Sequence, residues 1–516
     1  MNGNATSRTN ANGTHGNVTS RTNANGTHGN VTSPTDGNGT PGTPGGATRA
    51  TDRDVATRTI RDGAHRTDRD PEIVIVGAGL VGAVAACYLA PRFGPVTVLE
   101  KRADPRPDPG PQRRSLVVML SARGWRALED LGVADSVRRT CVPLRGRCAH
   151  LPDGRTRVTP YSRDGQPIWA VERRRLHRIL LDAAEATRGV SLRFGQRVRS
   201  VDLDRPAVQV EDRHGSHRLT CRRILGCDGA HSAARAALEA RGARVEVRRL
   251  DLAYQEIDVP AGRLEPDITH VWPTGKAMFA AHPLPSGKLS GSLFMRLDGP
   301  APSYAAARDG RDLHEMFAAH FPELTGLIPD IAEQLDGKAV STLTAVRCDR
   351  WVWRDTFALL GDSCHAMAPF MGHGMNCGFE DARVLVDRLD ACADWSSGLA
   401  AYETSRTEDA DAISELSYRH YFAMADPPRE ESAADVLRGR LAALFPDRFV
   451  PLYERCAFTE EGYASVLRDD RRLDRLVADL LARHGTGLVS ASDDRVRACT
   501  AAHAPTTATL EDSGCS

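Results

Sequence analysis

The sequence predicts an α/β fold: a Rossmann-like nucleotide-binding domain interrupted by an antiparallel-sheet domain and followed by a C-terminal helical region. Three observations carry that expectation. Ile73-Val74-Ile75-Val76 is a continuous β-branched run, as a strand buried on both faces requires, and Leu80 to Leu89 then reads as a helix. From Tyr254 to Phe294 several extended stretches are punctuated by turn residues, the pattern of an antiparallel sheet. After Gly361 the pattern turns helical and stays so to about Arg483.

Taken in order, residues 1–69 are expected to form a disordered, low-complexity extension. Thr6 to Val18 recurs identically as Thr19 to Val31, and a Gly/Pro/Thr stretch follows. With almost no apolar side chains, such a segment cannot offset an ordering entropy of roughly 1–2 kcal/mol per residue. The N-x-T triplets at Asn4, Asn12 and Asn17 match a glycosylation acceptor in form, but composition alone generates them. Globular character starts at Pro71. Residues 70–245 read as the first part of the nucleotide-binding domain, with Val96 to Leu99 closing a βαβ unit and further strands around Ala207–Val210 and Arg223–Leu225. Residues 246–345 read as the antiparallel-sheet domain and 346–390 as the second part of the nucleotide-binding domain. The helical region is expected over 391–485 and a flexible tail over 486–516.

Composition excludes several classes of partner. Lys+Arg and Asp+Glu both total 67, so no net charge draws the chain to nucleic acid or to an anionic membrane. The 12 cysteines are scattered without a C-x-x-C pair, which suits free thiols in a reducing compartment better than a zinc site or a disulfide framework. No run approaches the roughly 18–20 apolar residues of a membrane span, and the N-terminus lacks a secretory signal. The expectation is a cytoplasmic protein with no transmembrane anchor and no metal; oligomeric state is not legible.

Gly77-Ala78-Gly79-Leu80-Val81-Gly82 is a G-x-G-x-x-G placed after a strand and opening a helix. Gly77 permits the tight turn, Gly79 lets backbone approach a pyrophosphate, and Gly82 lets the helix pack on the strand. Glu100 ends the second strand, where an acid meets ribose hydroxyls. The motif alone does not separate FAD from NAD. Two later segments do: Gly226 to Arg235 (GCDGAHSAAR) resembles the D-G-x-x-S-x-x-R segment of class A flavoprotein monooxygenases, and Gly361 to Pro369 (GDSCHAMAP) resembles their G-D-x-x-H-x-x-x-P segment. No second G-x-G-x-x-G follows a strand, so a separate nicotinamide domain is missing.

The resemblance sharpens to the kynurenine 3-monooxygenase family over about residues 72 to 485. Leu359 to Asp381, LLGDSCHAMAPFMGHGMNCGFED, is close to the family's LLGDAAHAxxPFxGQGMNxGFED. Arg114-Ser115, Ser121, Arg123-Gly124, His270-Val271-Trp272-Pro273, Leu293-Phe294-Met295 and Pro451-Leu452-Tyr453 also match. The resemblance implies a p-hydroxybenzoate-hydroxylase-like architecture with FAD bound, NADPH as transient reductant and O2 as co-substrate. The implied reaction is hydroxylation of L-kynurenine, or a ring-modified kynurenine, at the 3-position through a flavin hydroperoxide, with no catalytic side chain.

By the same resemblance Glu100 and Arg102 hold the adenosine side of FAD, and Arg173 meets the cofactor at the start of its helix. Gly77, Gly79, Val81, Gly82, Met119, Val198 and Asp228 belong to the same cofactor set, with Asp362, Met375 and Asn376 along the ribityl chain and flavin ring. Arg147 matches the arginine that binds the substrate carboxylate, Tyr161 and Tyr453 the two tyrosines beside it, and Met424 and His420 further substrate positions. Three residues depart from the pattern. His373 stands for the family's Gln in G-Q-G-M-N, and His420 and Ala423 for the Asn and Glu of N-Y-x-E-M. They are either space-filling replacements or a reshaped ring end of the pocket. Alternatives from other classes are a hydroxylase of another aromatic carboxylate and a flavin-binding interaction protein without turnover. Trp351-Val352-Trp353 superficially resembles the W-x-W-x-I-P of flavin-dependent halogenases, but Arg354-Asp355-Thr356 follows and ordinary strand aromatics explain it.

Overall fold

A computed structural model describes residues 71–107, 116–262, 264–307, 309–425 and 432–503. The N-terminal extension with its repeat, the Arg114-Ser115 pair and the chain from 504 onward lie outside the described residues.

The β-branched run forms the strand Ile73–Val76, buried at every position. It pairs in parallel with Val96–Glu100 on one side and Arg223–Gly226 on the other. Val190–Phe194 and Phe357–Leu359 extend this sheet in parallel, and Val352–Trp353 closes one edge antiparallel. The helix Leu80–Phe93 packs against Gly374–Ala391 and Arg173–Ala186. Trp351, just before that edge strand, is buried in the core and donates its indole N–H to the Cys348 carbonyl at 2.9 Å.

The turn between Ile73–Val76 and the helix demands glycine at two points. Gly77 sits at φ +100°, and a Cβ there would lie 2.6 Å from the Cys227 carbonyl oxygen. A Cβ on Gly82 would lie 2.0 Å from the Gly77 carbonyl oxygen, so the helix could not sit this close to the strand. Gly79 differs: nothing lies within 4 Å of its Cβ position.

The second sheet has seven strands, in the order Ser341–Cys348, Val245–Val259, Leu289–Met295, Ala277–Pro283, Ile268–Pro273, Gly146–His150 and Thr156–Pro160. An antiparallel sheet was expected within 246–345, but two of these strands come from about a hundred residues earlier. Gly146–His150 joins through a parallel pairing with Ile268–Pro273, a non-local contact that no local pattern reveals. Helices Gly310–His320, Pro322–Leu327 and Ile331–Leu335 cover one face of this sheet, around Phe279, Leu293, Phe317 and Phe321. The other face looks toward the parallel-sheet unit. A third, small antiparallel sheet holds Val117–Leu120, Ile168–Glu172 and Cys141–Leu144.

The C-terminal helices include Trp395–Ala425 and Tyr463–His484. The described part of the expected flexible tail is instead ordered. Thr486–Ser490 is a short 3-10 turn, and Asp493–Ala502 is a helix capped by the Ser492 hydroxyl. Its polar sequence hides two anchors, Leu488 and Val496, that bury against Leu437, Leu441, Val477 and Leu480. Among the described residues, no helix is long and apolar enough to cross a membrane.

Gly82→Ala is expected to destabilise the protein by about 1–3 kcal/mol through overpacking, read as a lower urea midpoint. Gly79→Ala, which meets open space, is expected to stay within about 0.5 kcal/mol of the parent. Equal midpoints for the two variants would contradict this account of the turn.

Candidate active site

A cavity of about 650 Å3 runs from the glycine turn to the open face of the seven-stranded sheet. Gly77, Gly79, Val81, Glu100, Arg102 and Val198 line its nucleotide end; Met119, Arg173, Asp228, Asp362 and Met375 also line it. Arg147, Tyr161, His420, Met424 and Tyr453 line the same space. The fold thus gathers residues spread over more than 370 positions of chain into one cavity. Gly82 and Asn376 are not on its wall.

At the nucleotide end, Glu100 is buried and already engaged. Its carboxylate accepts from the Ala78 N–H at 3.0 Å and the Arg102 N–H at 3.0 Å, which pins the turn to the end of the second strand. The first N–H groups of the helix that begins at Leu80 have no intrahelical acceptor and give this end a partial positive charge. Open space at Gly79 and that positive end are what a pyrophosphate needs. FAD therefore fits the residues present.

The two later motifs prove to be one device. Asp228 accepts from the Ser232 hydroxyl at 2.5 Å and from the Ala233 and Ala234 N–H groups at 2.7 and 3.1 Å. Its carboxylate caps the helix Ala233–Glu239 and shapes the loop, and the residue stands on the cavity wall. Arg235, the last residue of the motif, donates to the Ser363 carbonyl at 2.7 Å and so ties this loop to the Gly361-Asp362 turn. Asp362 is exposed to the cavity, and among the described residues no hydrogen bond engages its carboxylate.

Behind that turn lies a buried charge network. Asp381 accepts from the Gly361 N–H at 3.0 Å and the Arg406 guanidinium at 2.9 Å, with His365 Nε2 at 2.5 Å. Arg406 also meets Glu380 at 2.9 Å, and Glu380 accepts from Arg123 at 3.0 Å. Burial alone would raise the Asp381 carboxyl; His365 and Arg406 outweigh it and hold it at about 2. Burial alone would lower His365, and Asp381 overrides it to raise the imidazole above its usual range. The Asn376 side chain accepts from the Ser121 N–H at 3.0 Å and donates to the Met119 and Gly372 carbonyls at 2.8 Å, so it braces the wall from behind.

The sheet end of the cavity is graded. Register places Arg147 opposite Thr269, and His282 on the next strand lies beside Thr269, one polar row across three strands. Four residues along, about 13 Å at strand rise, Pro273, Met278 and Phe294 form an apolar row. Tyr161 donates to Thr269 Oγ1 at 3.0 Å, and that oxygen lies 3.3 Å from His282 Nδ1. The Tyr453 ring stacks between Tyr161 at 5.3 Å and His420 at 5.8 Å. Arg147 is half-buried and, among the described residues, has no carboxylate partner. Thr269, His282 and Met278 were not anticipated; strand alternation would have found them once the partner of the Arg147 strand was known.

Burial and the adjacent Arg147 push His420 down to about 3, so it is neutral in the working range. His373 is also pushed down to about 3, by burial, Arg123 and His420. It lies off the cavity wall, with Nδ1 2.9 Å from the Tyr463 hydroxyl. Ala423 is exposed and off the wall as well. Of the three departures, His420 alone lines the cavity.

A family model described as an FAD binding domain matches residues 70–417. The kynurenine 3-monooxygenase of Salinispora arenicola (strain CNS-205) is 36% identical over 439 residues, covering 82% of this chain and 95% of that protein. The kynurenine 3-monooxygenase of Xanthomonas axonopodis pv. citri (strain 306) is 36% identical over 408 residues, covering 77% and 89%. Among solved structures, the tetrameric form of 2-methyl-3-hydroxypyridine-5-carboxylic acid oxygenase superposes with a TM-score of 0.58 at 22% identity, covering 69% of this chain and 93% of that one. PqsL, a probable FAD-dependent monooxygenase from Pseudomonas aeruginosa, gives 0.56 at 22% identity, covering 70% and 98%. At such identity the two structures speak for the fold alone.

The buried histidines predict a pH dependence. His282 is pushed down to about 4 by burial and His270, beside the values of about 3 for His373 and His420. Between about pH 4 and 6.5 the unfolded chain binds protons that the folded one refuses, so this stability is present above 6.5 and lost as pH falls. Each such histidine contributes a slope of about 1.4 kcal/mol per pH unit. His365 has the opposite sign, contributing fully below about 6.5 and losing its contribution as pH rises through its raised folded value. Urea midpoints are expected to fall steadily from pH 7 to 5; a flat profile would contradict the burial of these rings.

Proposed function

The chain belongs to the FAD-binding-domain family of flavoprotein monooxygenases, and from that premise we propose that it hydroxylates kynurenine, or a ring-modified kynurenine, at the 3-position, ortho to the aniline amine. FAD is the resident cofactor, NADPH the transient reductant and O2 the co-substrate. The relatives that carry the kynurenine 3-monooxygenase name support the substrate class. The observation that carries the reading is Arg147, a guanidinium facing the cavity with no protein carboxylate among the described residues to neutralise it.

Arg147 offers a planar fork that matches a carboxylate in two hydrogen bonds. The Tyr453 hydroxyl, with no protein partner among the described residues, is a further donor to the same group. His420 is neutral beside it, so it adds no second positive charge and keeps one lone pair for the α-ammonium of an amino acid. The aromatic ring then extends toward Met278 and Phe294, where apolar walls exclude water. Bound FAD supplies the redox and oxygen chemistry; no side-chain nucleophile is required. Toward it, Gly77, Gly79 and Val81 would accept the pyrophosphate, Glu100 and Arg102 the adenosine side, and Asp362 a ribityl hydroxyl. Met119, Arg173, Val198 and Met375 would flank the rest. The free thiols of the described cysteines support a reducing, cytoplasmic setting.

His420 also favours a second reading, a hydroxylase of another aromatic carboxylate, because it replaces the family's Asn at the substrate. Substrate-stimulated NADPH oxidation with kynurenine, a substituted kynurenine and a simple benzoate separates the two. Arg147→Ala is expected to raise the KM for kynurenine roughly 10- to 100-fold, the loss of a charge-assisted hydrogen bond of about 1.5–3 kcal/mol. The purified variant should stay yellow with unchanged flavin content. Unaltered kynurenine kinetics in Arg147→Ala would reject this pocket, and a product without a one-oxygen mass gain would reject the reaction.

A further inference from the structure

We propose a second site, separate from the cavity: a transition-metal site of the zinc class built by Cys148, His150 and His270, with Glu323 and the Glu265 carbonyl orienting its histidines. It lies on the back of the seven-stranded sheet. The parallel pairing of Gly146–His150 with Ile268–Pro273 sets Thr269 opposite Arg147 and His270 opposite Cys148. Because successive side chains alternate across a sheet, Arg147 and Thr269 reach the cavity while Cys148, His150 and His270 gather on the other face. All three are buried, and their donor atoms lie within 4.8 Å of one another.

The hydrogen bonds around the two rings point to a cation. His150 Nδ1 lies 3.1 Å from both carboxylate oxygens of Glu323, and Trp272 donates its indole N–H to the same carboxylate at 2.8 Å. The His150 ring stacks on Trp272 at 4.2 Å, which fixes its plane. His270 Nε2 lies 3.0 Å from the Glu265 carbonyl oxygen. A carboxylate and a carbonyl only accept, so each ring presents its N–H outward to them. The inner nitrogens, His150 Nε2 and His270 Nδ1, then face each other at 3.0 Å as two lone pairs.

Two lone pairs at that distance repel unless a cation joins them. A shared proton would answer the nitrogens and leave Cys148 without a part. A divalent ion answers all three donors. Metal-bound histidines characteristically donate their other N–H to a carboxylate or a backbone carbonyl, and here one ring does each. Two nitrogens and a thiolate suit zinc, with a water in the fourth position. Tetrahedral zinc with bonds of about 2.0 Å to nitrogen and 2.3 Å to sulfur needs donor separations of roughly 3.3–3.6 Å, a few tenths of an ångström wider than the present nitrogen pair. The ion would clamp the strand that carries Arg147 to its neighbour, directly behind the residues that face the cavity.

The test uses the full chain with its flavin, purified without chelator, exposed to zinc and freed of excess by gel filtration. Elemental analysis is expected to find about one zinc per chain, falling at least tenfold in Cys148→Ser and His150→Gln, with flavin content unchanged in both. Cobalt added to the wild-type protein should give tetrahedral d–d bands to the red of the flavin absorption. Wild-type protein that retains no zinc and gives no such bands overturns the site, as does equal zinc in the variants. Should a variant fail to fold, the cobalt spectrum of the wild type decides. Flavin content and kynurenine turnover read the other site and can fail independently.

Discussion

Asp381 is the residue on which the site's geometry rests. It is fully buried and charged, and its carboxylate joins the Gly361 N–H, His365 and Arg406. Through Arg406 and Glu380 the chain of ion pairs reaches Arg123, whose remaining donors satisfy the Cys456, Thr459 and Glu461 carbonyls. One network therefore ties the end of the central sheet to the helices Ala122–Asp130, Gly374–Ala391 and Trp395–Ala425 and to the C-terminal helices. Isolated buried charges cost several kcal/mol each, and such a network need not add net stability. What it does is fix position. Held by the Asp381 carboxylate from behind, the Gly361-Asp362 turn has one place to sit, and that place turns Asp362 into the cavity.

The seven-stranded sheet supplies the other constraint. Its period of two divides one set of strands between two tasks, with no residue able to serve both. On one strand Arg147 faces the cavity while Cys148 and His150 face away; on the next, Thr269 faces it while His270 and Trp272 do not. A slip of one residue of the first strand in this pairing would turn Arg147 away and bring Cys148 and His150 to the cavity face. Register here is thus a condition of binding, and anything that holds it behind the sheet acts on the front.

Legibility in the sequence followed contact range. The strand-turn-helix at Ile73–Val76 was readable because its strand, glycines and acid lie within thirty residues and each answers a local demand. The helix Asp493–Ala502 was not legible for the same reason: Leu488 and Val496 are unremarkable until the helices they bury against are known. Arg147, Tyr453 and His420 were found by resemblance, since nothing in their neighbours announces a pocket. Resemblance also assigned Asp228 and Asn376 to the cofactor; in the fold the first caps a helix at the cavity wall and the second braces that wall from behind. It grouped His373 and Ala423 with His420, although only the last lines the cavity.

The cavity's electrostatics follow from these placements. Among the described residues, its sheet end holds the fixed cation Arg147 and two imidazoles that burial keeps neutral, His282 and His420. Had either ring been exposed enough to carry charge near neutrality, the pocket would bind any small dianion and discriminate poorly. With both neutral, a single positive charge selects a single carboxylate, and the hydroxyls of Tyr453 and Thr269 add direction without adding charge. The apolar row at Met278 and Phe294 then sets the polarity of the far end. A ligand with an acid at one end and an aromatic ring at the other satisfies both ends at once. One reversed against the sheet would strand its carboxylate among apolar side chains and leave Arg147 unpaired, a penalty large enough to fix orientation.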